Sequence, residues 1–476
     1  MMRHGALHSA DLPGFGLTAL LLGAFLTIFD TFVVNIALPS IRATFQADFG
    51  RAGLVIVAYE LGFGGCLLLA GRLGDAFGSR RLFRLGIAAF IATSLWCGAA
   101  PRMEWLILGR LLQGVTAALF FPQIYAFLRR VGEAESRHRL FARLGMTLGL
   151  AAIAGQVLGG LLIHADVLGL GWRAIFLINL PLGLLILLGT SRLPRAAEHS
   201  VRSFDVPGAL LGTLGLWGLF AALLEGPERH WPSWTVVSLT AGLALLALLL
   251  VHERRLARAG GAPLIDPGIF HHARLRLGLA VVLIVYASAT ALFLSFAILV
   301  QAGLGLSAFA AGLTLSPASL GFVGASLLAP RLRRRLGESI LIGGGTLYAG
   351  GFLLLSTAVA HAAPHDAWPL VPALVVLGIG QGLTMPPLLN FVLASLPSHR
   401  AGMASGLIST TQKIGGTLGV AVAGLFLGPV MLGGPEDQAH AFAEEMQVLG
   451  GAALIATLLV RQATTRERSD TTAISS

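Results

Sequence analysis

The sequence predicts an all-α integral membrane protein of 14 transmembrane helices: two six-helix pseudo-repeat bundles, a two-helix insert between them, and both termini cytoplasmic. Three observations predict it. Hydrophobic residues are 55% of the 476 positions and charged ones only 12%, against about 25% charged in a soluble domain. Apolar runs able to cross the hydrocarbon, which takes about 20 residues, recur 14 times. The basic residues are sorted to alternate gaps. With the N-terminus inside, 26 of the 33 Lys and Arg fall in inside segments and 5 in outside gaps, the other 2 lying within spans. That asymmetry is a positive-inside signal, and it holds only for an even number of spans.

In chain order, span 1 covers 14–38. Arg3 is followed by a long apolar run without a convincing small-residue cleavage site, so a first span is expected here rather than a removed signal peptide. It carries Phe29-Asp30-Thr31-Phe32-Val33-Val34-Asn35-Ile36-Ala37-Leu38-Pro39. Span 2 (52–70) holds Glu60 and runs into the loop Gly71-Arg72-Leu73-Gly74-Asp75-Ala76-Phe77-Gly78-Ser79-Arg80-Arg81 before span 3 (82–100). Span 4 (104–127) contains Arg110-Leu111-Leu112-Gln113-Gly114, and span 5 (141–164) contains Gly155-Gln156-Val157-Leu158-Gly159-Gly160. The span 5 glycines, Gly145 and Gly149 included, recur mostly every four residues, a spacing that permits close helix contact. Span 6 (172–190) opens on Trp172-Arg173-Ala174-Ile175-Phe176-Leu177-Ile178-Asn179-Leu180-Pro181.

Spans 7 and 8 (206–225 and 233–251) form the insert, followed by spans 9 to 12 at 275–301, 308–329, 338–360 and 367–395. Span 13 (403–430) holds Gln412-Lys413 and Gly415-Gly416-Thr417-Leu418-Gly419, and span 14 is 446–460. Residues 463–476 are a polar cytoplasmic tail, expected to be disordered. Two echoes define the repeat. Ala70-Gly71-Arg72-Leu73 with Gly78 returns as Ala329-Pro330-Arg331-Leu332 with Gly337, and Leu108-Gly109 with Gln113-Gly114 returns as Leu377-Gly378 with Gln381-Gly382. Parallel repeats of this kind mark a large transporter architecture. Residues 1–200 would form the N-terminal bundle, 201–260 the linker pair and 261–462 the C-terminal bundle.

Several chemistries are excluded. The net charge of +10 comes from short arginine clusters suited to an anionic cytoplasmic leaflet, so no nucleic-acid partner is expected. Cys66 and Cys97 both lie in spans, which leaves no disulfide framework or cysteine zinc site. No metal is expected, and His271–His272 sits in an arginine-rich loop as solvated side chains. Lys413 is the only lysine and Ile414 follows it, so no Walker A loop exists. Gly169-x-Gly171-x-x-Ala174 faintly echoes a dinucleotide loop, but no strand precedes it.

The motifs of spans 1, 2, 4, 6 and 13, in this order, resemble the major facilitator superfamily in its fourteen-helix drug:proton antiporter branch, over nearly the whole chain. The resemblance implies a multi-pass cell-membrane (inner or plasma) exporter rather than an enzyme. It would use no cofactor but the proton gradient, with protons, a small-molecule substrate and the lipid bilayer as partners. A monomer is compatible with the sequence, which fixes no oligomeric state. The sequence departs from the branch where Gln156 stands for the usual proline of the antiporter motif and where Gln412-Lys413 stands for Arg-Gln. A dedicated exporter of one metabolite or natural product carries the same motifs. A membrane enzyme or sensor would need a cluster of nucleophile, base or metal ligands, and none is found.

Ionisable residues inside spans are costly and usually functional. At 1.5 Å per residue, Asp30 and Arg110 share a depth in the outer half, and Glu60 and Lys413 share another. The resemblance puts spans 1 and 4 on a central cavity and span 2 against span 13. Asp30 is therefore the first candidate for proton exchange, with Arg110 its partner. Glu60 is the second, with Lys413 as an interface charge. Candidate cavity residues are Asn35, Gln113, Phe29, Phe121, Phe293, Gln381 and Asn390, and Phe25, Phe32, Phe120 and Phe296 are further apolar candidates. Gly71, Asp75, Gly78, Arg80 and Arg81 form the expected gating loop, where Asp75 would dock on the N-terminus of span 13 near Gly402. Gly155, Gln156, Gly159 and Gly160 mark the antiporter-motif helix.

Overall fold

A computed structural model describes residues 14–129, 134–194, 205–228, 231–261, 268, 270, 272–393, 401–430 and 433–475. The chain divides into two compact units, Met1–Trp217 and Gly218–Ser476, and the division falls inside a helix. The first unit contains α1 (Gly14–Phe45), α2 (Phe49–Phe77), α3 (Ser79–Gly98), α4 (Met103–Arg129), α5 (Ala134–His164), α6 (Ala174–Leu177) and α7 (Asn179–Thr190), and the first half of α8 (Val206–Glu228). The second contains the rest of α8, α9 (Ser233–Arg258), α10 (Ala273–Ile298), α11 (Ala308–Leu336), α12 (Ser339–Ala358), α13 (Val371–Leu393), α14 (Ala401–Leu427) and α15 (Pro435–Ser475). Among the described residues, 13 helical segments are long and apolar enough to span a membrane. At the thirteenth expected span stands α14, a helix of 27 residues.

Local sequence explains the helix ends. Asp48 caps α2, its side chain accepting the Arg51 N–H at 2.7 Å. Ser307 does the same for α11 through the Ala310 N–H. Gly78 and Gly337, the glycines of the first echo, both take positive φ, 88° and 59°. Each ends one helix where the next begins, a conformation that side-chain-bearing residues rarely adopt.

The repeat is legible in the packing. Within the first unit α1 packs on α5 and α7, α2 on α4, and α3 on α4 and α7. Within the second, α10 packs on α14 and α15, α11 on α13, and α12 on α13 and α15. The pairings match helix for helix, the broken sixth span (α6 and α7) corresponding to α15. Close approach rests on the second echo. A Cβ on Gly114 would strike the Tyr59 carbonyl of α2, and one on Gly378 or Gly382 would strike carbonyls of α11. Small residues that bring backbones together are what helix association in lipid requires. Outward-facing side chains such as Leu188, Val237, Leu320 and Leu458 are apolar and exposed, as a hydrocarbon solvent demands.

One expectation gains detail and one needs correction. Span 6 stands as one segment able to cross the membrane over Gly171–Thr190, with its helix interrupted once: a 3₁₀ turn over Gly171–Arg173 leads into α6, which stops at Leu177 before α7 begins at Asn179. Pro181 has no N–H for the Leu177 carbonyl and its ring crowds that group. Residues 463–475, expected to be disordered, continue α15, because no glycine or proline follows Gly451 to interrupt a helix already anchored by packing.

Candidate functional site

The interior of the first unit encloses a polar network built on Asp30. Asp30 is 0% exposed and Arg110 1%. Arg110 Nη1 donates to Asp30 Oδ2 as a buried ion pair at 2.5 Å. Gln113 Nε2 and Asn179 Nδ2 both donate to Asp30 Oδ1, at 3.0 and 2.8 Å. Three donors from α4 and α7 thus converge on one carboxylate of α1. Ser94 Oγ on α3 accepts from both amides, at 2.9 and 3.2 Å. Gln113 Oε1 accepts from Arg110 Nη1 at 2.8 Å, and Cys97 Sγ lies 3.6 Å from it.

Each helix reaches this network for a local reason. The arginine is fixed on three further sides: Nε donates to the Val55 carbonyl at 3.1 Å, the Tyr59 ring lies 4.3 Å from its Cζ, and the Phe176 ring lies 5.8 Å away. The close α2–α4 approach at Gly62 and Gly114 places the Tyr59 face for that cation–π contact. The break before Asn179 puts its amide at the N-terminus of α7, aimed into the bundle. Gly155 and Gly159 of α5 meet Phe29, Phe32 and Val33 so closely that a Cβ on either would collide with them, which seats α5 against the turn of α1 carrying Asp30. Gln156 is buried, and α5 runs unbroken for 31 residues, as a chain lacking the motif's proline can. Gly160 is buried on the same helix.

The other candidates scatter. Gln113 belongs to the Asp30 network and is sealed from solvent. Asn35 is buried on α1 with its Oδ1 lacking a hydrogen-bond partner. Phe29 is buried and stacks on Phe25 at 5.6 Å. Phe120 fills the core edge-on against Phe83 and Phe90, and Phe296 is buried too. Phe121 is half-buried and meets Phe63 and Tyr125 edge-on. Phe293 is half-buried on α10 and Gln381 buried on α13. Glu60 is buried in the first unit, and Lys413 half-buried in the second. Arg80 donates to the Ser191 carbonyl at 2.9 Å, closing the end of α7, and Arg81 is exposed. The side chains of Arg72, Asp75 and Asn390, and the surroundings of Gly71 and Gly402, lie outside the described residues.

Sequence reasoning missed Ser94, Tyr59 and the role of Asn179. Asn179 Oδ1 is buried with no hydrogen-bond partner among the described residues, a costly state that singles it out only once the fold is known.

An all-helical membrane protein with two pseudo-repeated bundles and an ion pair sealed inside one of them has the construction of a secondary transporter. The chain belongs to the major facilitator superfamily, whose family model matches residues 20–420. It is 37% identical over 413 residues to a probable actinorhodin transporter of Streptomyces coelicolor, covering 86% of this chain and 72% of that one. It is also 37% identical to the puromycin resistance protein pur8 of Streptomyces alboniger (86% and 80% covered). Identity to the multidrug resistance protein Stp of Mycobacterium tuberculosis is 31% (85% and 74%). Among solved structures, the POT family transporter PepTSo superposes with a TM-score of 0.68 at 12% identity (95% and 98% covered), a likeness of fold alone. The protein is therefore a multi-pass cell-membrane transporter of small molecules and not an enzyme.

Proposed function

We propose that the protein is a proton-driven exporter of amphipathic small molecules, cationic or neutral, working by alternating access with Asp30 as the exchanging carboxylate. The observation behind this reading is the convergence of Arg110, Gln113 and Asn179 on a fully buried Asp30. With the carboxylate ionised, the network binds α1, α4 and α7 together. A proton on Asp30 removes the charge that attracts Arg110 and weakens the carboxyl as an acceptor, so the packing of α1 changes with protonation. Asp30 is sealed, so exchange requires a rearrangement that wets it, and that links proton movement to conformation. A cationic substrate competing with the proton for Asp30 yields antiport directly. Glu60 is the second carboxylate in this scheme and Lys413 an interface charge that would approach it when the cytoplasmic side closes.

A narrower reading, export of one natural product, is favoured by relatives described as a probable actinorhodin transporter and a cephamycin export protein. Accumulation of ethidium and puromycin in cells lacking their own exporters separates broad from narrow. Coupling is tested by substrate-induced proton release from purified protein. Asp30→Asn should abolish release and pH-driven export, whereas Glu60→Gln should weaken cation export and spare neutral substrates. Normal release by Asp30→Asn together with none by Glu60→Gln would reverse the two roles.

A further inference from the structure

The second unit contains a buried acid that the scheme above does not use. Glu445 on α15 is 0% exposed. Ser295 Oγ on α10 donates to its Oε1 at 2.8 Å, and its Oε2 is buried with no hydrogen-bond partner among the described residues. The position is not arbitrary. The α10–α15 pair is the counterpart of α1–α7, the pair that joins Asp30 to Asn179. Both centres therefore join the same pair of helices, with their parts exchanged. In the first the acid stands on the span 1 helix and the neutral donor on span 6. In the second the neutral donor stands on span 9 and the acid on span 14.

The surroundings separate the two centres. The segments packed on α15 are α10, α12, α14, the π-helical Leu299–Gly303 and the 3₁₀ turn Val359–His361. Their titratable and charged groups are Arg274, Arg276 and Tyr286 on α10, Tyr348 on α12, Lys413 on α14 and His361 in the turn. Arg274 and Arg276 stand in the first turn of α10, roughly 30 Å along the helix from Ser295 at 1.5 Å per residue. Tyr348 is directed to the Val285 carbonyl. On α15 itself Glu436, Asp437, His440 and Glu444 are exposed, and Arg461 lies four turns beyond Glu445. No salt bridge involving Glu445 is found among the described residues. A carboxylate in such a place is far costlier than the neutral acid. One turn past Ser295, α10 gives way to π geometry over Leu299–Gly303, a departure often found at functional positions.

We propose that Glu445 is a second proton-binding site, on the helix pair that corresponds to the one holding the Asp30 centre, which holds a proton as a neutral acid here and gives it up during the transport cycle. The proposal rests on the reading of the protein as a proton-driven exporter. Each proton exchanged per substrate is worth a tenfold accumulation ratio per unit of pH gradient. In proteoliposomes with the membrane potential clamped at zero and ethidium as probe, Glu445→Gln should lower the steady-state ratio about tenfold per pH unit. Absence of any pH-gradient dependence in the wild type defeats the exporter reading itself. A wild type that depends on the gradient and a Glu445→Gln variant with the same ratio defeat only the second site. Infrared difference spectra of the purified protein read the proton without any substrate. Glu445→Gln should remove the C=O band of a carboxylic acid in an apolar setting, and Ser295→Ala, available if the first variant does not fold, should shift it. Spectra unchanged by the variant that folds overturn the proposal, as does a band that persists unaltered through a full acid-to-alkaline titration.

Discussion

The two bundles solve the same problem, a carboxyl group inside a membrane, in opposite ways. Asp30 is given a cation and two amide donors. Glu445 is given one hydroxyl and no ion pair among the described residues. The first arrangement suits a charge held by the partners built around it until the network opens to admit a proton. The second suits a group that stays neutral until its surroundings open. The difference follows from one helix. On α4 the arginine of Arg110-x-x-Gln113-Gly114 supplies the cation, whereas the echo in α13 keeps Gln381 and Gly382 but has Gly378-Ile379 where the arginine would fall. Once that cation is gone, an acid on the span 9 helix would lack a counter-charge, and α10 offers the Ser295 hydroxyl instead.

The largest effect should come from removing the cation alone. Arg110→Met leaves Asp30 buried with two neutral donors, and stranding one member of a buried pair costs about 3–5 kcal/mol. Thermal unfolding in micelles should drop accordingly, and export should be lost. Adding Asp30→Asn to Arg110→Met should restore part of the stability because no orphan charge remains. Strict additivity in that double-mutant cycle would show that the pair is not energetically coupled.

A smaller effect is expected at Asn179, the α7 member of the first centre as Glu445 is the α15 member of the second. Asn179→Leu removes a donor to Asp30 and one to Ser94, a loss of about 1–3 kcal/mol. Export should fall further than stability does, since the carboxylate keeps Arg110 but loses its link to α7. Asn179→Asp sharpens the comparison: it sets a second acid beside Asp30 and should be worse than Asn179→Leu. An Asn179→Asp variant as stable as the wild type would mean that the Asp30 centre already holds a proton.

The fourteen-span pattern and the meeting of Asp30 with Arg110 were legible because charged residues inside apolar runs are few, helix rise fixes their depth, and the family resemblance sets spans 1 and 4 side by side. The neutral half of the centre was not. Ser94 and Tyr59 look like any span residues until the α3–α4 and α2–α4 contacts exist. Asn179 stood inside a recognised motif, yet its aim depends on the break that Pro181 imposes. Glu445 was hidden for another reason. The polar stretch Pro435–Gln447 lowers local hydropathy, so the expected span began at 446, one residue past the buried acid, while the helix itself starts at Pro435. Hydropathy places a span by its lipid face and is blind to a carboxyl facing inward.

The smallest effect should separate the two acids most cleanly. Asp30→Asn leaves the Arg110 guanidinium buried without its counter-ion, so it should destabilise by several kcal/mol, in the same range of about 3–5 kcal/mol. Glu445→Gln strands no charge: the amide oxygen can accept the Ser295 hydroxyl as Oε1 does, the partnerless Oε2 position exchanges one neutral polar group for another, and no cation loses a partner. Its effect on unfolding should stay within about 1 kcal/mol, the net worth of one neutral hydrogen bond. Thermal or denaturant unfolding of both variants in the same detergent makes the comparison. A Glu445→Gln cost equal to that of Asp30→Asn would show that a positive charge faces Glu445 after all, and the contrast between the two bundles would be lost.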